Sequence, residues 1–330
     1  MTGLFIHDID PVIGQIARMY LWWYGLSYTL GFLGLFHWLR TMRSSLCMDV
    51  REVYDLTILT AAGVLIGGRT VEVIFYEWPY YSDHLSHILW VWLGGMATHG
   101  ILIGGTLGTL LFSQVYRRNF LSLADELIIA AAFIMGLGRI GNFIDGQIVG
   151  SVTDVWWAVK FPDTDGFRHP VVLYDGLKNL LLVPVLLFIR NKKPPRGFLL
   201  GSFLFAYGFF RIFIDFFREY RTELFGLPPG QGLNIGLSII GLILIIYSVK
   251  RGYTGPNPLS LSAISDGLNI DVRKATWLRR IILRLLLILP LVIPSDWTQD
   301  VPARYGKRHE GMTHSVLYPA IVTTLNNGEL

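Results

Sequence analysis

Seven apolar runs near or above bilayer length, separated by polar and basic segments, constrain this chain more than any other feature. They lie at about residues 19–39, 56–75, 88–115, 123–137, 171–189, 197–217 and 233–249. A helix needs roughly 20 apolar residues to cross the hydrocarbon core. Inside that core every backbone polar group must be satisfied internally, so only helices or closed barrels can span it. The runs lack the ten-residue alternation of a barrel strand. The expectation is therefore an all-α polytopic membrane protein with seven transmembrane helices. Only 16% of the residues are charged, against about 25% in soluble domains.

Lysine and arginine choose the orientation. Eleven lie on one side, in the loops holding Arg40, Arg43, Arg51, Arg117, Arg118, Arg190, Lys192, Lys193, Arg196, Lys250 and Arg251. Six lie on the other: Arg18, Arg139, Lys160, Arg168, Arg218 and Arg221. The N-terminus is then outside and Lys250 cytoplasmic. Residues 140–170 form the longest outer connection, a small head segment in which 155–161 suits a short strand and Pro170 suits the first turn of the next helix. No cleavable leader is read, because the first run starts near Met19 and is long enough to span.

The net charge of +4 is a topology signal and gives no nucleic-acid partner. One cysteine, Cys47, excludes an intramolecular disulfide and a cysteine metal cluster. No metal and no cofactor are expected. Beyond residue 251 the chain changes character. Residues 254–271 read as a linker, 281–293 as an interfacial helix or an eighth span, and the last thirty residues as a mobile end.

Ionisable residues inside spans are costly and mark function by default. His99, in Gly94-Gly95-Met96-Ala97-Thr98-His99-Gly100, is the only ionisable residue of the third run. It is a candidate base or a polar link between helices. Gly100, Gly104 and Gly108, four apart, permit close helix packing. Tyr207, Arg211, Asp215 and Arg218 share one helical face. Arg211 and Asp215 form either a structural ion pair or part of a polar stripe leading to a phosphate. Arg69 and Glu72 are within pairing distance and read as structural. Asp175 and Lys178 are expected at the interface. Tyr24 is an interfacial anchor or faces the site. Arg139, in Gly138-Arg139-Ile140-Gly141-Asn142-Phe143, stands at a membrane boundary where it can hold a lipid phosphate. A base and two arginines from different helices suggest lipid phosphate chemistry without naming the reaction.

At these residues the chain resembles the prolipoprotein diacylglyceryl transferases of bacterial inner membranes. The blocks that carry the likeness are Trp23-Tyr24-Gly25-Leu26, the histidine-glycine block 94–100, the stretch 138–146, Arg168-His169-Pro170 with Leu173-Tyr174, and Tyr207 through Arg218. Together they cover roughly residues 19–250, a transmembrane transferase domain with the head at 140–170, followed by the extension 251–330. The resemblance implies seven helices with a periplasmic head and a site facing the periplasm. It implies transfer of diacylglycerol from phosphatidylglycerol, a membrane lipid, to the lipobox cysteine thiol at the signal peptide of a prolipoprotein. A thioether forms and glycerol phosphate leaves. Carried over, Arg139 binds the headgroup, Arg211 holds or releases the phosphate, and His99 helps to deprotonate the thiol. Tyr24, Asn142, Asp145, Gly146, Tyr207 and Asp215 complete the pocket.

The chain departs from the family pattern at several places. It has Asp145-Gly146-Gln147 where Asn-Gly-Glu is usual, and Asp215 for Glu. It has Val172-Leu173-Tyr174-Asp175 for Gln-Leu-Tyr-Glu, and Ile101-Leu102 where a second glycine is usual. Asp145, Gln147 and Asp215 keep open a diverged paralogue that binds lipid or lipoprotein without catalysis, and the buried charges and glycine-rich helix allow a membrane transporter. The absence of visible sequence repeats weighs against the transporter.

Overall fold

The computed structural model describes residues 5–162, 164–218, 229–252, 272–295, 300–312 and 315–319. Their elements in chain order are β1 (Phe5–Ile6), β2 (Val12–Ile16), β3 (Met19–Trp22), α1 (Trp23–Met42), α2 (Val50–Val71), α3 (Trp78–Asp83), α4 (Thr98–Val115), α5 (Phe120–Ile144), β4 (Val159–Lys160), α6 (Val171–Asn191), α7 (Phe198–Asp215), α8 (Pro229–Arg251), α9 (Val272–Ile288) and α10 (Asp300–Tyr305). Among the described residues five helical segments are long and apolar enough to cross a membrane: Val50–Tyr76, Phe120–Ile144, Val171–Asn191, Phe198–Asp215 and Gln231–Arg251. Large apolar side chains such as Ile66, Phe188, Ile239 and Ile243 point outward from them, as a bilayer requires. The chain is a mostly helical, multi-pass membrane protein.

Helix starts at one end of the bundle are laced together by side chains. Asp49 accepts the N–H of Glu52 at 2.8 Å, and Glu52 accepts that of Asp49 at 2.8 Å, a capping box that starts α2. Arg118 then binds Glu52 at 2.6 Å. Asp125 of α5 accepts the N–H groups of Gly197 and Leu200 at 2.6 and 2.8 Å, satisfying amides that the first turn of α7 leaves open. Arg190 pairs with Glu126 at 2.9 Å. The basic loops read from the sequence thus supply structural ties at this end.

Helices α2 and α4 approach through glycine. A Cβ at Gly104 would stand 1.9 Å from the carbonyl oxygen of Gly63, and one at Gly100 2.1 Å from that of Gly67. The spacing of Gly100, Gly104 and Gly108 therefore serves packing, as the sequence suggested. Gly104→Ala is expected to lower stability by about 1–3 kcal/mol, because overpacking outweighs the better helix propensity of alanine. Thermal unfolding in detergent checks this, and an unchanged or raised midpoint would contradict it.

Several boundaries differ from the sequence reading, each for a local reason. The first helix starts at Trp23, because Met19–Trp22 instead pairs antiparallel with Val12–Ile16. With β1 and β4 paired in parallel, two small sheets qualify the all-α expectation, and β4 falls within the strand expected at 155–161. The run 88–115 is not one helix. Residues Leu85–Leu89 and Val91–Leu93 form 3₁₀ turns, Gly94 and Gly95 take φ of +96° and +85°, and α4 starts at Thr98. Arg69 holds this irregular path. Its guanidinium donates to the carbonyls of Ile88 at 3.0 Å, of His87 and Trp90 at 3.3 Å, and of Gly94, and to the Tyr81 hydroxyl at 2.7 Å. Arg69 is structural, as expected, but through backbone carbonyls. Helix α5 continues through Arg139 to Ile144, so the head begins at Asp145. The helix ends where Gly146 takes φ of +67°, and Gly141, inside the helix, lets Tyr24 lie against it.

The extension is packed. Helix α9 lies along α1 and α2. At one end Arg279 grips Asp55 at 2.6 Å. Farther along, Thr29 donates to the carbonyl of Leu287 at 2.6 Å, and Ile293 is buried with Tyr24, Tyr28 and Phe32. Val301, Tyr305, Met312 and Tyr318 then form a core with Tyr20, Trp22 and Leu93. This replaces the expected mobile end for the described residues 300–312 and 315–319. The expected linker at 254–271 lies outside the described residues.

Candidate active site

Three helices bring their polar residues to one level. In α6 the second turn carries Asp175, fully buried, and Lys178, 8% exposed. A Cβ at Gly176 would stand 3.1 Å from that of Arg139, so this glycine lets α6 approach α5 closely. Asp175 then receives three cations: Arg139 Nε at 2.7 Å, Arg211 Nη1 at 2.6 Å and Lys178 Nζ at 2.7 Å. Arg211 reaches a second carboxylate, Asp215, at 3.2 Å. Asn234 of α8 donates to Asp215 at 2.9 Å, where Gly208 admits α8 against α7. Lys178 Nζ also sits 3.7 Å from the centre of the Tyr207 ring, a cation–π contact.

Among the described residues three cations and two carboxylates meet in this cluster, a formal sum of one positive charge. Buried charges need partners, and the side chains of Arg139 and Arg211 are only 15% and 11% exposed. Arg139 also donates to Asn142 Oδ1 at 3.2 Å, which turns its guanidinium along α5 toward the head. An arginine fork fixed on two sides is preorganised for a phosphate oxygen.

The sequence-predicted residues divide into groups. Arg139, Asn142, Tyr207, Arg211 and Asp215 join one network. Tyr24 flanks it from α1. Its hydroxyl lies 2.8 Å from that of Tyr28, and its Cα fits against Gly141. Asp145 ends α5, and its carboxylate accepts the hydroxyl of Ser295 at 2.5 Å. Gly146 follows in the turn beside His7. His99 stands apart. Its side chain is exposed in the first turn of α4, with no hydrogen bond or ion pair to the other described residues. Asp175 and Lys178, expected at the interface, are instead the centre of the cluster.

The head packs over the same end. His7 donates from Nε2 to the carbonyl of Phe143 at 2.7 Å and stacks on Phe161. Arg168 donates to the carbonyl of Gly150 at 3.1 Å, and Ser151 N–H reaches the carbonyl of Phe217 at 2.8 Å. Burial lowers the pKa of His7 and of His169 below the ordinary imidazole value.

Residues 11–247 match the family model of prolipoprotein diacylglyceryl transferase. The chain is similar to phosphatidylglycerol–prolipoprotein diacylglyceryl transferases of several bacteria. It is 38% identical to that of Mannheimia succiniciproducens over 74% of this chain and 94% of the relative. The protein of Geobacter sulfurreducens is 36% identical over 75% and 98%, and that of Pasteurella multocida 39% identical over 74% and 93%.

Proposed function

The chain belongs to the prolipoprotein diacylglyceryl transferase family, and from that premise we infer that it transfers diacylglyceryl from phosphatidylglycerol to prolipoprotein. The observation that carries the reading at the level of the site is the buried cluster of Arg139, Arg211 and Lys178 on Asp175 and Asp215, with a formal sum of one positive charge among the described residues. That charge suits the single negative charge of a phosphodiester.

In this reading Arg139, held by Asn142 and Asp175, binds the phosphate of phosphatidylglycerol. The acceptor is the lipobox cysteine of the prolipoprotein. Its thiolate attacks the carbon of the diacylglycerol moiety that bears the phosphate ester. The carbon–sulfur bond forms, the carbon–oxygen bond breaks, and the electron pair leaves on the phosphate oxygen as glycerol phosphate. Arg211 stabilises that leaving charge. A free thiol titrates near pH 8.5, so a base aids the attack. His99, exposed at the start of α4, takes that proton from a peptide arriving through the membrane. Tyr24, Tyr207, Asp145, Gly146 and Asp215 shape the pocket.

The same reading places the protein in the bacterial inner membrane with seven crossings, α1, α2 and α4 through α8. The N-terminus and the head, expected at 140–170 and begun at Asp145 in the fold, face the periplasm. Residues 1–250 form the transferase domain and 251–330 the extension.

Purified protein supplied with phosphatidylglycerol and a lipobox peptide is expected to release glycerol phosphate in step with a diacylglyceryl mass gain on the peptide. A folded protein that binds the lipid and transfers nothing would favour the non-catalytic paralogue. His99→Ala is expected to lower transfer about 10²–10⁴-fold, the usual worth of a general base, while lipid binding stays. Transfer at the wild-type rate would remove His99 from the proton step.

A further inference from the structure

Asp145 is placed where a carboxylate is costly. It is 4% exposed and ends α5, where the helix dipole is negative. A buried carboxylate there needs donors, and two come from the extension. Ser295 N–H reaches Asp145 Oδ2 at 3.3 Å and Ser295 Oγ–H donates to the same oxygen at 2.5 Å. The second is a short, charge-assisted bond of the stronger class. Ser295 lies well beyond residue 247, where the family match ends.

Ser295 is held in place by what precedes it. The carbonyl oxygen of Pro290 fits against α1 so closely that a Cβ at Gly25 would stand 2.0 Å from it. Ile293 is 1% exposed and packs in the cluster that contains Tyr24 and Tyr28. Residues 290–295 therefore wall the end of the bundle that carries Tyr24, Asn142 and Asp145. Arg139 lies on the same helix, with Asn142 one turn before Asp145. A carboxylate that loses the strong bond from the Ser295 hydroxyl is a stronger competitor for the Arg139 guanidinium in a medium of low dielectric.

We propose that Ser295 is a positioning residue for the transfer reaction: it holds the Asp145 carboxylate, so that Arg139 stays available to the lipid phosphate. The extension is then part of the lipid site. This rests on the reading of Arg139 as the phosphate holder. Ser295 touches no substrate and acts through Asp145.

The test uses the full chain as wild type, Ser295→Ala, Ser295→Thr, Asp145→Asn and the Ser295→Ala/Asp145→Asn double variant. Transfer is measured against phosphatidylglycerol concentration at saturating peptide. Phosphatidylglycerol binding is measured separately as the lipid-dependent shift of the thermal midpoint. Ser295→Ala is expected to raise KM for the lipid about tenfold, the worth of a lost bond to a charged group, with kcat within about twofold by the same reasoning, since ground-state competition acts on binding. Ser295→Thr restores most of the lost affinity. In the Asp145→Asn background the charge that Ser295 restrains is gone, and Ser295→Ala then changes KM by less than about twofold. An unchanged KM in Ser295→Ala, an equal rise in both backgrounds, or a fall confined to kcat would overturn the proposal. Absence of transfer by the wild type would instead overturn the assigned reaction, and the binding shifts would still report whether Ser295 and Asp145 are coupled.

Discussion

Arg139→Ala is expected to lose at least about a thousandfold in transfer while the protein still inserts and folds. Removing a single preorganised donor from a developing oxyanion costs about 10²–10³ in rate, and this side chain supplies a full charge as well as its donors. Its position is fixed from two sides, by Asp175 at 2.7 Å and Asn142 at 3.2 Å, so little reorganisation is needed when a phosphate arrives. Arg139→Lys is expected to stay near the alanine level, because an ammonium cannot reach Asp175, Asn142 and a phosphate oxygen with one planar fork. The fold survives because Asp175 keeps Arg211 and Lys178. Parallel measurement of glycerol phosphate release, peptide mass gain and lipid binding checks this. Either variant within tenfold of wild type would move the phosphate away from Arg139.

The network around Arg139 was partly legible in the sequence. Tyr207, Arg211 and Asp215 recur at helical spacing, and that alone places them on one face. Gly138 through Asn142 marked Arg139, although the helix runs past it, because a glycine such as Gly141, packed against Tyr24, need not end a helix. Asp175 and Lys178 were misplaced at the interface. They lie in the second turn of a span, near the end where charges ordinarily meet headgroups, and their burial follows from the packing of α5 and α7 against α6. The signal that was available is their i, i+3 spacing in an apolar helix, the same signal that marked Arg211 and Asp215. Nothing in a single sequence joins Ser295 to Asp145, 150 residues earlier, or Arg279 to Asp55. These contacts arise from packing between distant segments, and a lone serine after a proline has no periodic signature. The break before α4 was hidden for a different reason. Residues 88–93 are apolar enough to read as helix, but Arg69 takes their carbonyls.

Asp175→Ala is expected to be the most destabilising change in the site, by about 3–5 kcal/mol, the range for removing one partner of a buried ion pair. The physical reason is repulsion. With Asp175 present the cluster holds three cations and two carboxylates. Without it, Asp215 is the one carboxylate among the described residues that faces Arg139, Lys178 and Arg211, and the formal charge of the cluster rises from one to two in a region shielded from water. Asp175→Asn keeps the shape and some hydrogen bonding but has the same charge defect, so it is expected to lose most of that stability too. Lys178→Met in the Asp175→Asn background restores the original net charge and replaces the ammonium by a side chain of similar length. It is expected to recover a substantial part of the lost stability without recovering transfer, because Arg139 and Arg211 have lost the carboxylate that aims both. Thermal unfolding in detergent, read beside transfer, separates the two effects. If Asp175→Ala unfolds within 1 kcal/mol of wild type, the cluster is not held by its charges. If the double variant is as unstable as Asp175→Asn alone, the defect lies in packing around α6, and the excess positive charge is tolerated because it faces water or lipid phosphate when the protein is in its membrane.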